Sequence, residues 1–206
     1  MTEKARIAVL VSGGGTNLQA LIDAQKSGII CDGEISLVVA NVSDAYAITR
    51  AGNAGIDSCT ITKKMTGSQE AFEKALKEKL TEYKIDIIVL AGFLSILSED
   101  FTKDNPDRII NVHPALIPSF CGKGYYGLKV HEAALEYGVK VTGATVHFVN
   151  EIPDGGKIIL QKAVDILDGD TPEVLQKRVM EQAEWIILPQ AVQLVSKNII
   201  QNKKEK

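Results

Sequence analysis

The sequence predicts a doubly wound α/β fold: a mostly parallel, twisted sheet with helices on both faces and an antiparallel C-terminal strand. Three observations predict it. Apolar runs alternate with helix-period segments from one end of the chain to the other. Several of these runs are apolar on both faces, as central strands covered by helices must be. The last runs, between about Lys140 and Leu167, have no helix between them, so the turn at Asn150 to Gly156, "NEIPDGG", must bring the chain back antiparallel.

The elements follow in order. "RIAVLVS" reads as a strand and "NLQALIDAQKSG" as its helix; "EISLVVAN" and "DAYAITRAGNAG" repeat the unit; a short "DSCTIT" precedes the helical "QEAFEKALKEKLTEYK". "IDIIVLAG", a helical turn in "SEDFTKD", "RIINVHP", the helix "LKVHEAALEYG" and the strands "KVTGATVHFVN" and "KIILQKAVDIL" complete the sheet. Gly28 and Gly55 stand where helices end on a left-handed residue, Ser43 and Ser68 are candidate N-caps, and Thr171-Pro172-Glu173 combines a cap, a first-turn proline and a first-turn acid. The last helix is expected from about Pro172 toward Val195, with a frayed tail over about 197–206.

Composition limits the function classes. The 206 residues suit one sizeable core, so a single domain over 1–206 is expected. A formal net charge of −3 gives no overall basic field for nucleic acid or an anionic membrane. The apolar run after "MTEKAR" is too short for a signal segment or a membrane span, which leads to a cytoplasmic expectation. Cys31, Cys59 and Cys121 form no metal-binding spacing, so neither a metal nor a disulfide is expected.

In a sheet of this kind ligands bind beyond the carboxyl ends of the strands. Two strand ends carry chemistry. After the first strand, "VSGGGTNLQA" lets the backbone turn tightly and aims the N–H groups of Gly15, Thr16 and Asn17 outward at a helix N-terminus, a place for phosphate. The dinucleotide fingerprint is incomplete, because Leu18 occupies its third glycine position and the second strand ends in Asn41 rather than an acid. A phosphate monoester on a small substrate fits better than NAD or ATP.

In "INVHP" the two-residue strand period puts Asn111 and His113 on one face. An amide and an imidazole side by side at a carboxyl edge suit a carbonyl oxygen that becomes negative. Asp154, in the glycine loop after the strand of His147, adds a carboxylate that moves a proton. His147 shares a face with Thr145 and either joins this set or is a packed strand residue; His131 is expected in a solvated or helix-packing role. No nucleophile elbow occurs, so direct transfer between two bound substrates is expected.

"VLVSGGGTNLQA", "VLAGFLSIL", "IINVHPALIP", "VTGATVHFVNEIPDGGKIILQ" and "EWIILP" together resemble the phosphoribosylglycinamide formyltransferase family, folate-dependent enzymes of purine synthesis, from about Arg6 to Val195. The resemblance implies a formyltransferase-like Rossmann variant, and transfer of a formyl group from 10-formyltetrahydrofolate, as cosubstrate, to the amine of glycinamide ribonucleotide. By matching position it implies Asn111, His113 and Asp154 as catalytic residues, with Asp154 raising the pKa of His113. It implies Gly14, Gly15, Thr16, Asn17 and Glu184 for glycinamide ribonucleotide. For the folate it implies Gln69, Leu94, Ser95, Ile96, Leu97, Asn111, Asn150, Glu151, Ile152, Pro153 and Asp154. Partners would be these small molecules alone, with no nucleic acid or membrane, in a monomer or a homodimer.

This chain departs from the family pattern at Gln69 and Ser95, where Arg is common; at Gly14, where Asn is common; and at Glu181 and Trp185 on the last helix. Gln69 cannot supply the charge an Arg offers a folate tail, a role Lys63 or Lys64 could take. The segment "PSFCGKGYYGLKVHEAAL" matches a family substrate loop and is expected to order on ligand binding. Two alternatives stand beside this reading: another folate-dependent formyl-handling enzyme, acting on a sugar or tRNA or hydrolysing formylfolate, and a non-catalytic protein that binds a phosphorylated ligand.

Overall fold

The structure is a computed structural model that describes residues 3–205. Seven strands form one sheet: β1 (Ala5–Val11), β2 (Gly33–Ala40), β3 (Ser58–Thr60), β4 (Ile87–Leu90), β5 (Ile109–His113), β6 (Val141–Phe148) and β7 (Ile158–Asp165), in the order β3-β2-β1-β4-β5-β6-β7. The pairs from β3 through β5 are parallel, whereas β6 runs antiparallel to both β5 and β7. The chain winds outward from β1 to β3, then returns to the other side of β1 with β4. The strand order therefore reverses between β1 and β4, where a crevice opens at the carboxyl ends.

The strand alternation sorts the core onto two faces. Ile7, Val9 and Val11 of β1 point to one side with Val38, Val89 and Ile110. There they meet α1 (Thr16–Lys26), α2 (Tyr46–Asn53), α7 (Pro172–Val179) and α8 (Trp185–Lys204), through Leu18, Ala47, Leu175 and Leu188. Ala8 and Leu10 point the other way, with Ile88 and Ile109, to Phe72 and Leu76 of α4 (Gln69–Glu82) and Phe101 of α5 (Glu99–Lys103). Leu76 is fully buried, so Leu76→Ala would cost about 2–5 kcal/mol. The remaining helices are a single turn, α3 (Lys63–Thr66), capped by Thr62, and α6 (Leu128–Tyr137). Among the described residues no helix is long and apolar enough to cross a membrane.

Caps agree with the sequence at Ser68, which accepts from the Ala71 N–H, at Thr171, which accepts from the Val174 N–H, and at Gly28 and Gly55, both left-handed. Two expectations are corrected. Ser43 caps nothing: α2 starts at Tyr46 after Ala45, with no side-chain cap. The tail expected to fray from about 197 is instead helical through Lys204, because Ile200 is buried against the core and Lys203 pairs with Asp86 and Glu3. Lys206 lies outside the described residues.

The last helix is also not continuous. Met180–Glu184 widens into a π-turn in which the Trp185 N–H donates to the Met180 carbonyl. Pro189 lies just beyond and has no N–H for the carbonyl of Trp185, so the helical ladder is interrupted on that side too. The π-turn ends at Glu184, whose side chain it delivers into the crevice.

Candidate active site

The crevice is a cavity of about 920 Å³ over the ends of β1, β4 and β5. Its floor is built by the strand β5. Asn111 lies opposite His147 and His113 opposite Thr145 in the β5–β6 pairing, so all four side chains share one face of the sheet. Thr145 turns inward to donate to the Ala115 carbonyl and accept from the Ile117 N–H, which fixes the chain as it leaves His113.

Asp154 closes the group from the β6–β7 turn, where it adopts a left-handed φ of 56°. One carboxylate oxygen lies 3.6 Å from His113 Nδ1 and the other 3.6 Å from His147 Nε2. The Gly122 N–H donates to Asp154 at 2.8 Å, and His113 Nε2 donates to the Phe120 carbonyl at 2.8 Å. Segment 120–122 thus lies on both groups at once. His147 is fixed through Nδ1 to the Phe148 carbonyl at 2.8 Å, and its Nε2 is 3.3 Å from the Asn111 amide. It belongs to the polar set rather than only to the packing.

Electrostatics correct one expectation. Burial lowers the pKa of His113 and outweighs the opposing charge of Asp154, so the ring rests neutral rather than raised. Burial pushes Asp154 upward, but the His147 ring, the His113 charge and the Gly122 N–H together hold it below its ordinary value. The site at rest pairs an ionised carboxylate with a neutral imidazole. Cys121, on the same loop, has its thiol pushed up by burial and by Asp154, and all three cysteines are free.

The other end of the cavity is the N-terminus of α1. Gly15 caps it with φ 71°, and no side chain occupies the cap. Thr16 and Asn17 line the cavity, and the Asn17 amide donates to Glu184 at 2.8 Å. Burial drives Glu184 up to about 7 against the pull of that amide.

Of the residues expected for a folate, Leu94, Ser95, Ile96, Asn111, Pro153 and Asp154 line the cavity. Asn150, Glu151 and Ile152 occupy the adjoining turn, where the Asn150 side chain accepts from the Ile152 N–H. Leu97 is instead a core residue beside Phe101, and Gln69 is turned to Glu73 and the Ile96 carbonyl. Gly14 and Gly15 shape the loop behind Thr16 without lining the cavity. Glu181 points away and pairs with Lys177 at 3.8 Å. Tyr126, Lys129 and His131, within the segment expected as a substrate loop but given no individual binding role, also line the cavity; Gln176 and Met180 line it too, and sequence reasoning missed them without any local signal. No group of residues able to hold a metal ion occurs among the described residues.

An α/β domain with an amide, a neutral imidazole and a carboxylate around one part of a cavity, and a glycine-built helix N-terminus in another, suits a carbonyl oxygen that becomes negative and a phosphorylated ligand beside it. The sequence profile described as formyl transferase matches residues 5–192, and the chain belongs to that family. It is 44% identical over 200 residues to the trifunctional purine biosynthetic protein adenosine-3 of Gallus gallus, covering 97% of this chain but 19% of that protein. The chain thus spans about a fifth of the length of the trifunctional relatives it matches. It is 41% identical to the phosphoribosylglycinamide formyltransferase of Haemophilus influenzae, covering 89% of this chain and 84% of that one. The crystal structure of glycinamide ribonucleotide transformylase 1 from Symbiobacterium toebii superposes with a TM-score of 0.88 at 42% identity, covering 95% of this chain and 89% of the other.

Proposed function

We propose that this chain transfers the formyl group of 10-formyltetrahydrofolate to the amine of glycinamide ribonucleotide. The observation that carries the proposal is the convergence of Asn111, His113 and Asp154 on the cavity whose far end holds Thr16, Asn17 and Glu184. One wall suits a reacting carbonyl; the other suits a phosphorylated acceptor. The relatives' names support that pairing of substrates.

The substrate phosphate docks at the N–H groups of Thr16 and Asn17, on the turn that Gly15 makes. Glu184 accepts from the ribose hydroxyls, and the folate ring lies along Leu94 to Ile96 and Pro153. The acceptor amine attacks the formyl carbon, and the carbonyl oxygen gains negative charge between the Asn111 amide and His113. Asp154 offsets positive charge on the His113 ring as that oxyanion forms. The ring takes up the proton that the attacking amine loses, on the Nδ1 that faces Asp154, and then gives it up again. The amine proton moves to the folate nitrogen as its bond to the formyl carbon breaks, so formylated acceptor and free folate leave. No covalent enzyme intermediate is needed.

The test is an assay of the purified chain with 10-formyltetrahydrofolate and a panel of acceptor amines. Glycinamide ribonucleotide should be formylated and the same amine without its phosphate should react at least about tenfold worse. Preference for a sugar nucleotide would keep the chemistry and discard the acceptor.

A further inference from the structure

The N-terminus of α6 opens into the same cavity as that of α1, through Gly127, Lys129 and His131. Gly127 stands at its cap with φ 56°, no side chain caps it and no acid lies in its first turn. Lys129 occupies that turn instead. A cation at the positive end of a helix is unfavourable by itself, and a bound anion reverses the sign. Lys129 is also held in place: its Nζ lies 3.1 Å from the Tyr126 hydroxyl and 4.7 Å from the centre of the Tyr126 ring.

His131, on the same helix, is fully buried, yet neither ring nitrogen has a partner. Buried polar groups nearly always have one, so the ring is a donor and acceptor waiting for a group that the free protein does not supply. The cavity further contains the Asp154 carboxylate, which repels an anionic ligand, and the Glu184 carboxyl, whose charge burial disfavours; its lysines are Lys123 and Lys129. Thr16 and Asn17 line the same cavity and carry no charge.

We infer that the N-terminus of α6, with Lys129 and His131, is a second anion-binding site in the cleft, distinct from the one at α1, and that it receives a carboxylate group of a bound substrate. The naming of the two substrates rests on the formyl-transfer reading; the site itself does not.

Lys129→Met, Lys129→Arg and His131→Phe in the full chain test it. With both substrates, Lys129→Met should raise the KM of one substrate at least about fivefold and leave the other within about twofold, with Lys129→Arg close to wild type. A rise for the folate substrate alone identifies its carboxylate as the group held; a rise for the amine substrate alone would place its phosphate here instead of at α1 and overturn the second site. His131→Phe should shift the same KM while its melting temperature stays equal or rises, because an apolar ring loses no partner there. Equilibrium binding of each substrate alone, and of inorganic phosphate, gives the same comparison without turnover. If the wild type binds but does not transfer formyl, the formyl-transfer reading falls and the site stands. If neither substrate's KM or affinity moves beyond twofold in Lys129→Met and His131→Phe, the site is overturned.

Discussion

Asp154 and His113 face each other at 3.6 Å, beyond direct hydrogen-bond range, while each is separately tied to the loop between them, Asp154 to the Gly122 N–H and His113 to the Phe120 carbonyl. This spacing makes their coupling one of charge and relayed protons rather than of a fixed pair. Asp154→Asn removes the charge and keeps the shape, so it should lower kcat by about 10²-fold or more with a near-normal melting temperature. A steady-state comparison with wild type checks it, and an unchanged kcat would remove Asp154 from the mechanism.

The loop makes a second prediction. Because segment 120–122 lies on both catalytic groups, substrates that occupy them must change its contacts. Amide hydrogen exchange at Gly122 should differ between free and ligand-bound protein. Equal protection in both states would mean that the loop does not respond.

Gly15 carries a third. Its φ is 71°, and a Cβ there would lie 2.8 Å from the Ala47 Cβ. Gly15→Ala should therefore destabilise the fold by about 1–3 kcal/mol through backbone strain and overpacking. It should also weaken phosphate binding, since the same turn aims the N–H groups of Thr16 and Asn17. Chemical denaturation measures the first effect and phosphate titration the second.

Glu184 and His131 give opposite pH signatures. The Glu184 carboxyl is raised from 4.5 to about 7 in the fold, so it favours the folded state fully below pH 4.5, and that stability is lost as pH rises through 7. His131 is lowered from 6.5 to about 4, chiefly by burial and then by the charge of His113, so its contribution is present above 6.5 and lost as pH falls through 4. Each is worth roughly 3 kcal/mol at its limit. Urea melts across this range should show Glu184→Gln more stable relative to wild type as pH rises from 4.5 to 7, and His131→Phe relatively more stable as pH falls from 6.5 to 4. A pH-independent difference in either variant would contradict its assignment.

Much of this was legible in the sequence, for reasons that are local. Strands buried on both faces spell themselves out as apolar runs, and the two-residue period alone puts Asn111 and His113 on one face. The turn "NEIPDGG" announced the antiparallel pairing of β6 with β7. The π-turn at Met180–Glu184 was not legible, because it depends on how α7 and α8 meet the sheet; Pro189 was its one local trace. Leu97 reads like its neighbours Leu94 and Ile96, but the structure packs it against Phe101 while they line the cleft. The neutral state of His113 could not be read either. Asp154 argued for a charged ring, and only the depth of burial decides the other way.

The central claim is that a formyl group passes directly from donor to acceptor beside His113. The measurement that tests it most directly follows a carbon-13 label from the formyl group of 10-formyltetrahydrofolate in the presence of glycinamide ribonucleotide, with wild-type protein and with His113→Ala. The account predicts label in the formylated acceptor with none attached to the protein, and transfer slowed by about 10²-fold or more in the variant. Label that stays on the donor with wild-type protein, or transfer at an undiminished rate in His113→Ala, would contradict it.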